Sequence, residues 1–286
     1  MARSNYHYAG YDRSGPRYWA KKLGIYALVI AGALWLVAPF WWTITGALSE
    51  NPGAGLVVFF PAEPTLENFE TLVNEVPIGR WFLNAFILAG TVTLFNVTFD
   101  TLAGYAFAKL EFFARDKIFL AFIGTMMIPG MVTLIPVYIL LSELGWINTY
   151  RGLIVPFIAS PFGIFLLRQH FLSLPTSLGE AARLDGCNKL QVFYHIYLPL
   201  AKPAVATLGI FTFMFSWNDF EWPLIIATSE SMYTLPVALF AVQGRYTQDW
   251  GLVMATAAVM VLPIIVVFLL AQRHFIRGMT LSGMKG

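Results

Sequence analysis

Three places in this chain put acidic side chains where they could act on another molecule. Asp219 and Glu221, preceded by Asn218, lie among Trp217, Phe220 and Trp222. Carboxylates accept hydrogen bonds from hydroxyls, and aromatic faces stack on the apolar side of a sugar ring, so Asn218, Asp219 and Glu221 could line a sugar path. The competing reading is an aromatic belt with two carboxylates reaching water, and it suits Phe220 and Trp222 better. Asp100 stands inside an apolar run, where a carboxylate is either a proton-relay group or a structural hydrogen bond or ion pair between helices. No second buried acid or histidine continues a relay, so the structural role is expected. The third place is Glu180-Ala181-Ala182, followed after three residues by Gly186 and after nine more by Ile196-x-Leu198-Pro199. That pattern offers a docking surface rather than a reaction. No nucleophile–base pair, metal-ligand cluster or GxxxxGK[ST] run accompanies these acids, so a transport role is expected in place of an enzymatic one.

The elements that must position these residues are membrane helices. The chain is 58% hydrophobic and 12% charged, against about 45–50% and 25% in soluble domains. Six runs are long and apolar enough to cross a hydrocarbon core, which takes roughly 20 helical residues. They lie near residues 23–48, 81–108, 118–142, 152–171, 201–223 and 250–272. The first is too long for a signal-peptide core and is expected to stay as an anchor. With both termini in the cytoplasm, 15 of the 18 Lys and Arg residues fall on the cytoplasmic side and only Arg80, Arg151 and Arg245 outside. Retention of basic residues inside fixes that orientation. The net charge of +2 reflects this asymmetry and points to no nucleic acid. The single cysteine, Cys187, rules out an internal disulfide and a Cys-based metal site.

Between the fourth and fifth runs, residues 172–203 leave the membrane yet carry helix signals. Ser177 with Glu180 fits a capping box, Gly186 can take the left-handed conformation that ends a helix, and Asn188 with Gln191 offers a second start. Two short helices at an angle are expected, with Leu178, Ala181 and Ala182 on one face and Glu180 and Asp185 at the rim. Pro129 and Pro136 in the third run, Pro156 and Pro161 in the fourth and Pro263 in the sixth are expected to bend helices within a packed bundle.

The docking pattern, EAARLDG followed by nine residues and IYLPL, resembles the EAA loop of permease subunits of ABC importers. Ala103 to Lys109 (AGYAFAK), Ser216 to Leu224 (SWNDFEWPL) and the ending GMTLSGMKG are similar to carbohydrate importers, the ending to the second permease of the maltose-type group. The resemblance implies an all-α integral membrane fold with six transmembrane helices in a bacterial or archaeal cell membrane. A cytoplasmic tail (1–22), a permease domain (23–272) containing the 172–203 loop, and a C-terminal tail (273–286) follow. It further implies that Glu180, Ala181, Ala182, Asp185 and Gly186 dock into a cytoplasmic ATPase, and that ATP and Mg are bound there and not by this chain. The implied partners are a second permease, two ATPase subunits, an extracytoplasmic sugar-binding protein that the 228–249 loop would face, and the lipid bilayer. The alternative is a self-contained proton-coupled transporter using Asp100.

Overall fold

The computed structural model describes residues 16–50, 59–246 and 249–282. The regular elements there are all helical, as the composition predicts: α1 (Pro16–Ala47), α2 (Glu67–Glu75), α3 (Ile78–Lys109), α4 (Arg115–Thr125), α5 (Gly130–Glu143), α6 (Tyr150–Ile154), α7 (Pro161–Ser173), α8 (Ser177–Leu184), α9 (Lys189–Val192), α10 (Leu198–Trp217), α11 (Glu221–Ile226), α12 (Leu235–Arg245) and α13 (Trp250–Ser282). The tail expected over residues 1–22 lies outside the described residues up to position 15, and α1 begins at Pro16, seven residues before the expected span.

Helix α3 is the central post. It packs against α7 and α10, while α1 lies against α13. Two glycines, one on each helix, let α3 and α7 approach closely. A Cβ on Gly104 of α3 would stand 2.8 Å from Leu167 Cβ and 2.9 Å from the Arg168 backbone nitrogen, and one on Gly163 of α7 would meet the Asp100 carboxylate. Small residues at a crossing are how membrane helices gain backbone contact when lipid offers no hydrophobic driving force between them. Most of α1 keeps its apolar side chains outside the fold, with Leu28 75% and Trp35 81% exposed, a surface suited to lipid or another membrane chain.

Proline breaks the spans more sharply than the run lengths predict. The third run, expected as one helix over 118–142, is α4 and α5 with an angle of 96° between them. The cause is local: Pro129 has no N–H to give, and the amides of Met126, Met127 and Ile128 turn to carbonyls only three residues back, at 3.0–3.1 Å, which tightens the end of α4. The fourth run, expected over 152–171, divides into α6, a 3₁₀ turn at Val155–Phe157, and α7. The fifth, expected to reach 223, stops at Trp217, and α11 starts afresh at Glu221. The sixth continues through the expected tail to Ser282.

Two side chains of α3, one helical turn apart, repair the fourth-span break. Asn96 donates its amide to the Phe157 carbonyl and to Val92 O (3.1 Å). Asp100 Oδ1 accepts from the Ser160 backbone N–H at 3.0 Å. Ser160 in turn caps α7, its hydroxyl accepting from Gly163 N at 3.2 Å. Both α3 side chains are buried, Asp100 completely. Backbone polar groups within a bilayer must find protein partners, and these two supply a donor and an acceptor where two prolines have cut the helix. Asp100 Oδ1 thus makes an interhelical hydrogen bond of the structural kind, while its buried Oδ2 has no hydrogen-bond partner among the described residues.

At the outer end, Asn84 fastens the loop after α11. Its Nδ2 donates to Ser231 O (2.9 Å) and Tyr233 O (2.8 Å), while its Oδ1 accepts from the Tyr150 hydroxyl at 2.6 Å. Trp81 Nε1 adds a bond to Glu230 O at 2.9 Å. Asn84 is fully buried, so Asn84→Leu strands two carbonyls and a hydroxyl, at about 1–3 kcal/mol for each group left dry. The expected result is protease cleavage within residues 228–235 at concentrations that leave the parent intact; equal resistance would refute the pinning.

Candidate functional site

Helix α8 is held by a platform of aromatic side chains contributed by three spans. Tyr105 of α3 lies 5.7 Å from Phe171 of α7, 4.9 Å from Phe193 and 5.6 Å from Tyr197, centroid to centroid. Phe193 and Tyr197 belong to a single π turn, Phe193–Tyr197, between α9 and α10. Phe171, Phe193 and Tyr197 are buried together with Ala182 and Val192. Gly179 lies flush on this surface: a Cβ there would come 2.8 Å from the Tyr197 hydroxyl oxygen. The face of α8 formed by Gly179 and Ala182 is therefore turned inward, which corrects the expectation that Ala182 shares an outer face with Leu178 and Ala181. Glu180, Ala181, Arg183, Leu184, Asp185 and Gly186 form the exposed side, with Leu184 90% exposed.

The ends of α8 explain why it has this length. The expected capping box at Ser177 does not form. Thr176, following Pro175, is already helical (φ −70°, ψ −29°) and its carbonyl accepts from Gly179 and Glu180, so Ser177 sits inside the first turn, where its side chain cannot cap. The other two signals appear as expected. Gly186 has φ +88°, and its N–H bonds Arg183 O at 3.0 Å while Cys187 N–H bonds Ala182 O at 2.9 Å. These paired bonds make a Schellman motif, with Cys187 and Ala182 in the same apolar cluster. Asn188 and Gln191 form a complete capping box at 2.9 and 2.8 Å, starting α9.

The connection from α7 into α8 is short and fastened. Lys109, the last residue of α3, donates to Leu174 O at 2.6 Å with its ammonium 5.2 Å from the Tyr197 ring centroid. A cation at the carbonyl end of α7 is favoured by the helix dipole as well as by the hydrogen bond. Between α8 and the end of α3 lies a cavity of about 550 Å³ whose lining includes Lys109, Glu180, Arg183 and Tyr197. The AGYAFAK stretch and the EAA stretch, separate signals along the chain, are thus two sides of one assembly.

The residues expected along a sugar path fall differently. Asn218 is exposed but donates its amide to Met214 O, one turn back, at 2.7 Å. Asp219 Oδ1 accepts from Trp222 N at 3.4 Å, at the start of α11. Beyond the end of the span, burial pushes the Asp219 carboxyl above its ordinary value, partly offset by that amide. Glu221 opens α11 and is exposed. Trp222 corrects the aromatic-belt reading: it is buried, and its Nε1 donates to Gly152 O at 3.1 Å, while buried Trp217 donates to Met260 O at 3.0 Å. The run SWNDFEWPL builds the turn between α10 and α11 before it offers anything to a ligand. Half of the outer loop expected at 228–249 is helix α12, with Arg245 paired to Glu230 at 3.4 Å; Gln248 lies outside the described residues. Sequence reasoning did not single out Asn84, Asn96 or Arg168, whose only signal is a polar residue within an apolar run.

Comparison with known proteins gives a consistent result. Residues 100–281 match the family model described as binding-protein-dependent transport system inner membrane component. The chain is 33% identical over 279 residues to the arabinooligosaccharides transport system permease protein AraQ of Bacillus subtilis, covering 96% of this chain and 99% of that one. It is 31% identical over 271 residues to the trehalose/maltose transport system permease protein MalG of Thermococcus litoralis (91% and 96% covered). It is 34% identical over 241 residues to the sn-glycerol-3-phosphate transport system permease protein UgpE of Salmonella typhi (82% and 84% covered). Its fold is like that of a chain in the crystal structure of a bacterial ABC transporter involved in the import of the acidic polysaccharide alginate, with TM-score 0.78, 24% identity, and 89% and 97% of the chains covered.

Proposed function

This chain belongs to the family of binding-protein-dependent transport system inner membrane components, and from that premise we propose that it forms half of the translocation pore of an ATP-driven carbohydrate importer and is driven through α8. The observation that carries the coupling is the two-sided character of that helix. One side, Gly179 and Ala182, rests on aromatic groups of α3, α7 and the start of α10; the other, Glu180, Ala181 and Arg183 to Gly186, is exposed and can meet a partner. Force applied to α8 reaches three spans at once.

In this reading the exposed side of α8 enters a cleft of a cytoplasmic ATPase, with Glu180 and Asp185 accepting from basic groups and Leu184 filling an apolar recess. Closure of two ATPase subunits around ATP and Mg moves two such helices, one on this chain and one on a second, different permease. The pore then tilts from inward- to outward-facing, and sugar enters from an extracytoplasmic binding protein. A carbohydrate cargo is supported by relatives whose names specify arabinooligosaccharides, trehalose/maltose and lactose. The autonomous proton-coupled alternative would need Asp100 as a relay group; its Oδ1 is occupied by the Ser160 amide, and no second buried acid or histidine among the described residues continues a relay from Oδ2.

The test is purification of the tagged chain from its own host in mild detergent, with mass spectrometry of what accompanies it. An ATPase and a second permease are expected, and ATP depletion should stop uptake in vesicles. Recovery of the chain alone from intact assemblies, with uptake driven by a proton gradient, would replace this reading.

A further inference from the structure

Arg168 lies near the cytoplasmic end of α7 and makes three contacts with two other elements. Its Nε donates to Phe107 O, near the end of α3, at 3.3 Å. Its Nη2 is 3.6 Å from Asp116 Oδ1, in the first turn of α4. Its guanidinium carbon is 4.0 Å from the centroid of Phe119, one turn further along α4. The Arg168 side chain is 16% exposed, whereas Asp116 is 69% exposed and shared with Arg115 at 3.1 Å.

The rest of α4 is weakly attached. None of its residues is buried, and Phe119 and Phe122 meet Phe107 edge-on or tilted, at 5.6 and 6.0 Å between centroids. At its far end comes the 96° bend into α5. At the same end of α7, only Leu174, Pro175 and Thr176 separate Ser173 from α8, and Lys109 grips Leu174 O. One side chain thus stands between a docking helix joined rigidly to α7 and a half-span hinged at Met126–Pro129.

We propose that Arg168 is a positioning residue that carries displacement of the α8 docking helix into the broken third span, so that α4 follows α7 while α5 does not. The inference rests on the ATP-driven reading above and adds the element that moves. The side chain suits the task because a planar guanidinium can lie on a ring, donate to a carbonyl and meet a carboxylate at once. The compact ammonium of lysine cannot do all three. Without the link, the docking helix would still bind its ATPase and act on α3, α7 and α10, but α4 would lose its tie to α7.

The experiment uses the full importer purified with its partners, this chain carrying Cys187→Ser and Met127→Cys. Met127 stands in the hinge, 85% exposed. The maleimide labelling rate of this chain is compared without nucleotide and after trapping with ATP and vanadate. In the parent the two rates should differ by about threefold or more, as for a segment that changes its surroundings between two states; equal rates there would overturn the ATP-driven reading together with this one. Given that difference, Arg168→Met should still co-purify the ATPase but lose the rate change, and Arg168→Lys should restore part of it. Persistence of the full change in an assembled Arg168→Met complex would overturn the role of Arg168 alone. Should Arg168→Met fail to assemble, Asp116→Asn with Phe119→Leu removes both α4 partners and leaves Arg168 and its bond to Phe107 in place; loss of the change supports the link and its persistence refutes it.

Discussion

Gly186→Pro is expected to abolish ATP-dependent uptake while leaving the chain inserted in the membrane. Gly186 has φ +88°, and proline is locked near −65°, so the substitution cannot keep the turn that ends α8. It also deletes the N–H that bonds Arg183 O at 3.0 Å, and with it one half of the Schellman motif. A cost on the order of 3 kcal/mol to the local turn corresponds to roughly 100-fold lower occupancy of the docking conformation. Gly186→Ala keeps the N–H and meets only the left-handed penalty of about 1–2 kcal/mol, so it should be milder by an order of magnitude. Glu180→Lys tests the partner side of the same helix. Its side chain is exposed and takes no hydrogen bond among the described residues, so the variant should fold normally and release the ATPase by charge reversal. The measurements are the ratio of ATPase to permease in the purified complex and uptake in vesicles. Parental values for both Gly186→Pro and Glu180→Lys would end the docking interpretation.

Gly163→Ala should be strongly damaging in the bundle interior. The added Cβ would stand 2.0 Å from Asp100 Oδ2, 2.9 Å from its carboxyl carbon and 3.0 Å from Leu208 Cδ1. Relief requires Asp100 to swing away, and that strips Ser160 N–H of its acceptor at a break where two prolines have already removed donors. Overpacking costs typically about 1–3 kcal/mol, and a stranded buried amide about 1–3 more, so a clear fall in the thermal aggregation midpoint of the detergent-solubilised protein is expected. Asp100→Leu should fall similarly for the second reason only. Asp100→Asn retains an acceptor oxygen and should stay near the parent in both stability and uptake. The double substitution Gly163→Ala with Asp100→Ser shortens the offending side chain and should recover part of the loss, since residues in contact are non-additive. Additive losses would show that Gly163 and Asp100 do not oppose each other. Loss of uptake by an assembled Asp100→Asn, with proton-driven uptake in the parent, would revive the relay.

The sequence by itself determined the membrane solvent, and it set the expected orientation and the segment proposed to dock. Each of these follows from near-neighbour patterns: the length of apolar runs, the side on which Lys and Arg collect, and the spacing of Glu180, Gly186 and Pro199. The Asn188–Gln191 box and the left-handed Gly186 were legible because a cap is completed within a few residues of chain. Ser177 misled for the same local reason: Pro175 and the helical Thr176 start the helix one residue earlier than the capping pattern assumes.

Only the tertiary structure decided which side of each helix matters and where a span breaks. The angle between α4 and α5 depends on what neighbouring helices allow, since a proline permits a bend without setting its size. The burial of Ala182 depends on Tyr105 arriving from α3, 77 positions earlier in the chain. Trp222 would suit a membrane surface by type, and it is buried because Gly152 O lies within reach of its indole N–H. Asn96 and Asp100 read as isolated polar residues until the broken fourth span is laid beside them, when Asn96 gives Phe157 O the donor that Pro161 lacks and Asp100 accepts from the Ser160 N–H. Local spacing encodes contacts closed within a turn of helix. Hydrogen bonds and ring contacts between distant spans are set only when the bundle packs, because their partners are chosen by proximity in space and leave no period along the chain.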